Sequence, residues 1–125
     1  MIEALFSSNN YEACKRLLDA VHLRHEAIAS NLANVETPGY KRIDLAPEFY
    51  REFHSLLKAG EVARSPAPTL KEDATAVSTR LDGNNVEIER ELLHLSSNAL
   101  QYEVLSDFVS GSLKQLRLAI TGRNM

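Results

Sequence analysis

Two heptad seams, one toward each end of the chain, constrain its fold more than any other feature. Tyr11, Cys14, Leu18, Val21, His25, Ile28, Leu32 and Val35 recur at alternating spacings of three and four residues, the mark of a helix packed lengthwise on another helix. Asn9 with Glu12 has the form of a capping box and predicts a helix start near Asn10. The second seam is Ile88, Leu92, Leu95, Ala99, Tyr102, Ser106, Val109, Leu113, Leu116 and Ile120, interrupted only at Ser106. Asn84 with Glu87 offers another capping box, and Glu87, Glu89 and Glu91 suit the positive end of a helix dipole. Gly122 supplies the stop, with Arg117 and Arg123 near the negative end. A helix from Val86 to Thr121 would be roughly 50 Å long at 1.5 Å per residue.

Leu93, Leu100, Val104 and Phe108 place further apolar groups beside the second seam. A pair of helices covers one stripe on each member, so this surplus must meet the middle of the chain or another copy. Two helices alone bury little area against a backbone entropy of about 1–2 kcal/mol per residue. A chain of 125 residues without Trp has few aromatic groups to offset that cost. The isolated monomer is therefore expected to be marginal, and packing between subunits to complete its fold.

The first seam runs into Thr37-Pro38-Gly39-Tyr40. Proline followed by glycine is the type II turn pattern, because proline fixes φ and glycine accepts the positive φ that follows. The residue before a proline is pushed out of the helical region, so the helix is expected to end near Val35 or Glu36. Asn31 and Asn34 lie one turn apart, where their amides can satisfy carbonyls left over at a helix end. The middle of the chain changes character. Ala46 to Leu57 reads as a short amphipathic helix with Pro47 in its first turn, Phe49, Phe53, Leu56 and Leu57 on one face and Gly60 at its exit. Arg64 to Thr69 is a Pro-broken loop, and Thr75 to Leu81 alternates weakly, as a short extended segment would. About forty residues of this kind cannot build a core of their own. The predicted fold is all-α: two long antiparallel helices in a coiled-coil-like hairpin, joined by an irregular middle with one short helix.

The string Ala29-Ser30-Asn31-Leu32-Ala33-Asn34-Val35-Glu36-Thr37-Pro38-Gly39-Tyr40 resembles the N-terminal signature of flagellar basal-body rod and hook proteins. Hook and distal-rod members carry a large globular insertion between their terminal helices, which this chain lacks. Its length and the phrase Leu81-Asp82-Gly83-Asn84-Asn85-Val86-Glu87-Ile88-Glu89-Arg90-Glu91 are most similar to the proximal-rod members. The resemblance implies one rod-type domain over residues 1–125: a flexible tail at 1–8, an N-terminal helix at 9–36, an elbow and middle segment at 37–81, and a C-terminal helix at 82–125. It implies a structural subunit that assembles with its own copies and other rod proteins into a hollow, torque-transmitting shaft. Further implied partners are the type III export apparatus and the membrane-ring adaptor of the rod, with residues 1–8 a possible export signal. Under this resemblance Asn31, Asn34, Thr37, Pro38, Gly39 and Tyr40 set the elbow, and Asp82, Gly83, Asn84 and Asn85 start the returning helix. Leu18, Val21, Ile28, Leu32, Leu92, Leu95, Val109, Leu113 and Leu116 supply packing within and between subunits.

Composition bounds the rest. A net charge of −3 argues against a nucleic-acid partner. Met1 to Ser8 is too mixed for a cleaved signal peptide. No run of about 18 apolar residues is present, so direct membrane insertion is not expected. Cys14 is the only cysteine and has no partner for an internal disulfide. Taken alone, these features suit the cytoplasm, whereas the resemblance implies the periplasmic rod. His22 and His25, followed by Glu26, lack HExxH spacing and a third ligand, and His25 falls on the seam, so no metal or cofactor is expected. Ser30, Ser96, Ser97 and Cys14 lack a nucleophile context, and Cys14 on the seam suits a small buried hydrophobe. The run Glu87, Glu89, Glu91 reads as a helix start and solvated face. Asp44 and Glu48 could face each other, but without a cleft they make no hydrolase. The chain is not expected to be an enzyme. The rival reading is a cytoplasmic helical adaptor or chaperone that binds partner helices along the same seams.

Overall fold

In the computed structural model, residues 9–122 are described; the expected tail and export signal at 1–8 lie outside them. Helix α1 spans Asn9–Ala33, strand β1 Ile43–Leu45, helix α2 Pro47–Lys58, a 3-10 turn Val62–Arg64, strand β2 Leu70–Glu72 and helix α3 Ile88–Thr121. The two long helices lie side by side and antiparallel. Asn31 meets Glu91, Arg24 meets His94 and Val21 meets Asn98 in turn along the pair. Among the described residues α1 has 25 and α3 has 34, a difference of about 14 Å at 1.5 Å per residue.

The all-α expectation needs one correction. β1 and β2 form a two-stranded antiparallel sheet with Ile43 opposite Glu72, Asp44 opposite Lys71 and Leu45 opposite Leu70. The Ala46 N–H donates to the Thr69 carbonyl at 2.8 Å and the Asp73 N–H to the Arg42 carbonyl at 3.0 Å, which extends the ladder at both ends. The extended segment therefore falls at Leu70–Glu72 and not at Thr75–Leu81. Asp73 explains the stop: its carboxylate accepts from the Thr75 N–H at 2.9 Å and the Thr75 hydroxyl at 2.6 Å, turning the chain away from the sheet.

The principal core lies between α1 and the middle segment. Ala13 and Ala20 of α1 pack with Leu45, Phe49, Phe53 and Val62, flanked by Leu17, Leu23, Leu57 and Leu70. Ala13, Ala20 and Ala27 are all buried and one heptad apart. Small side chains at that spacing let the sheet and α2 approach α1 closely. The middle thus borrows a face of α1 for the core it could not build alone. On α2, Pro47 occupies the first turn, as expected. The Phe49 and Phe53 rings stack at 5.8 Å between centroids. Asn9 is not a cap. Its amide donates to the Leu57 carbonyl at 3.3 Å and its oxygen accepts from the Val62 N–H at 3.4 Å, tying α1 to the far end of α2.

The seams are only partly where the heptads put them. On α1, Val21 and Ile28 are buried, Leu18 and Leu32 are half-buried, and His25 is exposed. On α3, Leu95, Val109 and Leu116 are half-buried, but Leu92 and Leu113 are 50% and 45% exposed. The buried positions beside them are Glu91 and Asn98. Ile88 and Tyr102 of the expected seam are also about half exposed, and Leu92 and Ala99 are replaced by Glu91 and Asn98, their neighbours one residue earlier. The physical reason is polar: Glu91 and Asn98 find hydrogen-bond partners only on the α1 side.

Phe49→Ala should lower the unfolding free energy by about 3–5 kcal/mol, since Phe49 is almost wholly buried at the centre of this core. Urea unfolding followed by circular dichroism measures it, and a loss below about 1 kcal/mol would mean that the middle segment does not stabilise the long helices.

Candidate functional site

The elbow between α1 and α3 is the most densely hydrogen-bonded part of the chain. Helix α1 stops at Ala33, two residues earlier than the proline alone suggested. The Asn34 amide donates back to the Ser30 carbonyl at 2.8 Å, and its oxygen accepts from the Thr37 hydroxyl at 3.1 Å. The Tyr40 N–H closes the Thr37-Pro38-Gly39-Tyr40 turn on the Thr37 carbonyl at 3.2 Å, and Gly39 has φ of +74°. Proline and glycine therefore act as the turn pattern requires. Gly83, at φ +86°, lies against it, and a Cβ there would sit 3.4 Å from the Gly39 Cα. The Gly39 N–H donates to the Asp82 carbonyl at 2.8 Å, which joins the two loops.

Asn84 is the fastener. It is fully buried, and its amide nitrogen lies 2.9 Å from the Asn34 carbonyl, 3.1 Å from that of Val35 and 2.9 Å from that of Thr37. Two N–H groups thus serve three carbonyls that the end of α1 leaves without helical partners. The Asn84 oxygen accepts from the Val86 N–H at 2.8 Å. The second capping box is therefore not formed: Glu87 precedes α3 with no side-chain cap, and Asn84 closes the other helix instead. Asp82 accepts from the Asn84 N–H at 3.0 Å, and Asn85 accepts from the Arg42 N–H at 2.7 Å.

Asn31 does not serve the helix end either. Its amide donates to the Ile43 carbonyl at 2.9 Å and to Glu91 at 3.2 Å, while its oxygen accepts from the Ile43 N–H at 2.9 Å and the Tyr40 hydroxyl at 3.0 Å. All four hydrogen-bonding positions of the amide are used. Asn31 acts as a third strand one residue long, closing the free edge of β1.

Behind the elbow lies a charged cluster that the sequence did not reveal. Arg42 is buried, donates to Glu91 at 2.6 Å and to Asp44 at 3.2 Å, and also pairs with Asp73. Burial opposes its charge, but the bonds to Glu91 and Asp73 outweigh it and hold the guanidinium more firmly protonated than usual. Glu91 does not lie on the solvated face expected of the Glu87, Glu89, Glu91 run; it is 1% exposed. Burial pushes the Asp44 carboxyl up, but bonds from Arg24 and the Leu45 N–H carry it below its ordinary value. Asp73 is lowered likewise: burial raises it, and Thr75 and Arg42 prevail. Asp44 does not face Glu48, which pairs with Lys71. An open cleft of about 610 Å³ borders this cluster, lined by Arg24, Tyr50, Arg90 and His94 among others. Within the cluster Arg24, Arg42, Asp44, Asp73 and Glu91 are engaged in pairs, which is the arrangement of a structural tie. Among the described residues no group of three or more His, Cys, Asp or Glu could hold a metal ion. No helix among them is long and apolar enough to cross a membrane.

Comparison with known proteins gives this geometry its context. The flagella basal body rod protein family matches at residues 20–41, the end of α1 and the turn. The flagellar basal body rod protein FlgB of Aquifex aeolicus is 36% identical over 114 residues, covering 87% of this chain and 90% of that one. The chain belongs to the FlgB family. The FlgB proteins of Escherichia coli and Bacillus subtilis are 29% and 24% identical, covering 81% and 92% of the chain and 85% and 95% of their own lengths. Membership of the FlgB family makes the chain a structural component of the flagellar basal body rod and not an enzyme. Within the matched residues fall Asn31, Asn34, Thr37, Pro38, Gly39 and Tyr40.

Two outcomes test the elbow. Asn84→Ala should destabilise the chain by at least ~2 kcal/mol, because the buried Val86 N–H loses its acceptor and three carbonyls each lose one donor. Asn84→Asp should be worse, since a carboxylate oxygen would face three carbonyls; equal Tm values for the two variants by calorimetry would contradict the amide's role. The second concerns pH. The His94 Nδ1 lies 3.2 Å from Arg24 and must accept from it. Burial, then the Arg24 and Arg42 charges, hold His94 below its ordinary 6.5. As pH falls from 6.5, the unfolded chain takes up this proton before the folded one, so stability should decline until the depressed folded value is passed. Asp44 and Asp73, held below their ordinary 3.8, should add a further loss as the pH drops through and below that value. His94→Gln should flatten the first decline and leave the second, as read from urea midpoints between pH 7 and 3.

Proposed function

We propose that the chain is a self-assembling subunit of the proximal rod, packing with its own copies and other rod proteins into a hollow shaft that transmits torque. The observation that carries this reading is the unpartnered apolar surface of α3. Leu93, Leu100, Val104 and Phe108 lie on one flank, and Ile88, Leu92, Tyr102, Leu113 and Ile120 on another. At 100° per residue the two flanks are roughly 165° apart around the helix. Exposed large apolar side chains gathered in patches of this kind mark interaction surfaces. Flanks on two sides suit a heterologous contact, in which each subunit meets a neighbour on either side and the series continues.

In this reading residues 1–125 form one rod-type domain, and the helix pair is a coiled-coil-like hairpin. Asn31, Asn34, Thr37, Pro38, Gly39 and Tyr40 hold its elbow, while Asp82, Gly83, Asn84 and Asn85 form the loop that fastens this elbow and leads to the returning helix at Ile88. Leu18, Val21, Ile28, Leu32, Leu95, Val109 and Leu116 pack within the subunit, and Leu92 and Leu113 serve its neighbours. The subunit reaches the periplasm through the type III export apparatus and meets the membrane-ring adaptor of the rod. A helix whose stabilising contacts come from neighbours suits such a route, because little folded structure must be undone before threading.

Sedimentation and far-UV circular dichroism over a concentration series test the proposal. Self-association with rising helicity is expected, and Leu100→Glu with Val104→Glu should suppress it while leaving the Tm of dilute protein within about 3 °C. A stable, fully helical monomer at every concentration would replace this reading with an adaptor that binds partner helices.

A further inference from the structure

The stripe of α3 that the heptad pattern assigns to α1 is not the stripe that α1 receives. Leu92 and Ala99 give way to Glu91 and Asn98, one residue earlier in each case, while Leu95 stays half-buried. Moving these two positions by one residue and keeping Leu95 turns the contact face by about 50° around the helix. The turn goes against hydrophobicity. It buries Glu91 and Asn98 at 1% exposure each, and leaves Leu92, Ala99 and Leu113 outside. Glu91 is well paired. Asn98 is not: its amide donates to the Val21 carbonyl in mid-helix at 2.9 Å, while its buried oxygen has no hydrogen-bond partner. A leucine at 98 would give up one bond, remove a stranded polar atom and add apolar packing. Asn98 is therefore a poor choice for stability at its own position.

We propose that Asn98 is a rotational key. Together with Glu91 it fixes the angle of α3 about its own axis, so that the Ile88–Leu92–Ala99–Leu113 stripe stays outside the helix pair and open to a second copy of this chain. A polar group buried in a helix seam acts in this way because only one arrangement hydrogen-bonds it, and its stability cost is the cost of specificity. Without the key, the more apolar stripe is free to roll inward and bury itself on α1. The monomer would then be more stable, and its assembly surface would be closed. The second-copy clause rests on the self-assembly proposed above; the rotational clause does not.

The test uses the full chain with Cys14→Ser and a reporter thiol at Ala99→Cys. Asn98→Ala, which removes the bond without adding apolar bulk at 98, is examined alone and with Glu91→Gln, whose single oxygen can replace only one of the two that accept from Arg42 and Asn31. Slower labelling of the thiol in both, by about tenfold or more, with weaker self-association is the expected result. Asn98→Leu adds apolar bulk to the face already buried and should raise the Tm by roughly 3–8 °C with labelling unchanged. Labelling unchanged in both Asn98→Ala variants overturns the key, whatever the Tm does. Protection of the thiol in the variants, with a parent chain that never self-associates, upholds the key and overturns its second-copy clause together with the self-assembly reading.

Discussion

The buried pair of Arg42 and Glu91 is the tie on which the rest of the structure depends. Glu91 belongs to the first turn of α3, and Arg42 directly precedes β1. Through Asn31 the pair reaches α1, through Asp73 the loop after β2, and through the Arg42 N–H and Asn85 the loop that leads into α3. The chain around residues 31, 42, 73, 85 and 91 is thereby gathered about one ion pair. Removing one partner of a buried ion pair leaves an uncompensated charge, which costs about 3–5 kcal/mol. Three carboxylates share Arg42, so each is held by more than one contact and the cluster is cooperative. Such a tie adds little to stability compared with an apolar core, but it tolerates almost no displacement. The elbow is positioned by charge geometry, and the apolar core behind it by area.

How much of this was legible follows from the kind of signal each element carries. Both long helices were readable because 3.6-residue periodicity persists over many turns, and the turn was readable because Pro38 and Gly39 each restrict or permit one dihedral. The amphipathic α2 was readable for the same reasons on a smaller scale. The sheet was not, since three-residue strands carry too little alternation and their pairing is set by Asn31 and Asp73 far along the chain. Asn84 shows the limit well. Its spacing to Glu87 fits a capping box, yet the amide serves carbonyls some 50 positions earlier. Local spacing cannot distinguish a cap for the helix that follows from a cap for a helix that ended long before.

Glu91 and Asn98 mark a deeper failure of pattern reading. Hydrophobic periodicity assumes that the buried face is the most apolar face, which holds when burial alone decides. Here α3 carries apolar groups on three sides, so burial does not discriminate and hydrogen bonding does. The one available signal was a charged and an amide residue one heptad apart on a helix otherwise rich in leucine. In an isolated domain that pattern would read as a solvated stripe. In a helix with surplus apolar surface it is equally compatible with the opposite orientation, polar stripe inward and apolar stripes out.

That inversion bears on what a rod component needs. A subunit that buries all of its apolar surface within itself has nothing left to hold its neighbours, and one that buries too little does not keep a defined shape. The chain divides the task between two cores of different character. Ala13, Ala20, Phe49, Phe53 and Val62 form a compact apolar centre beside α1, which fixes the shape of the elbow and middle segment. The α1–α3 contact relies instead on a few specific polar bonds and half-buried leucines, leaving most of the long helix available. Stability and association surface compete for the same residues, and in the proposed reading the polar groups in the seam settle the competition in favour of association.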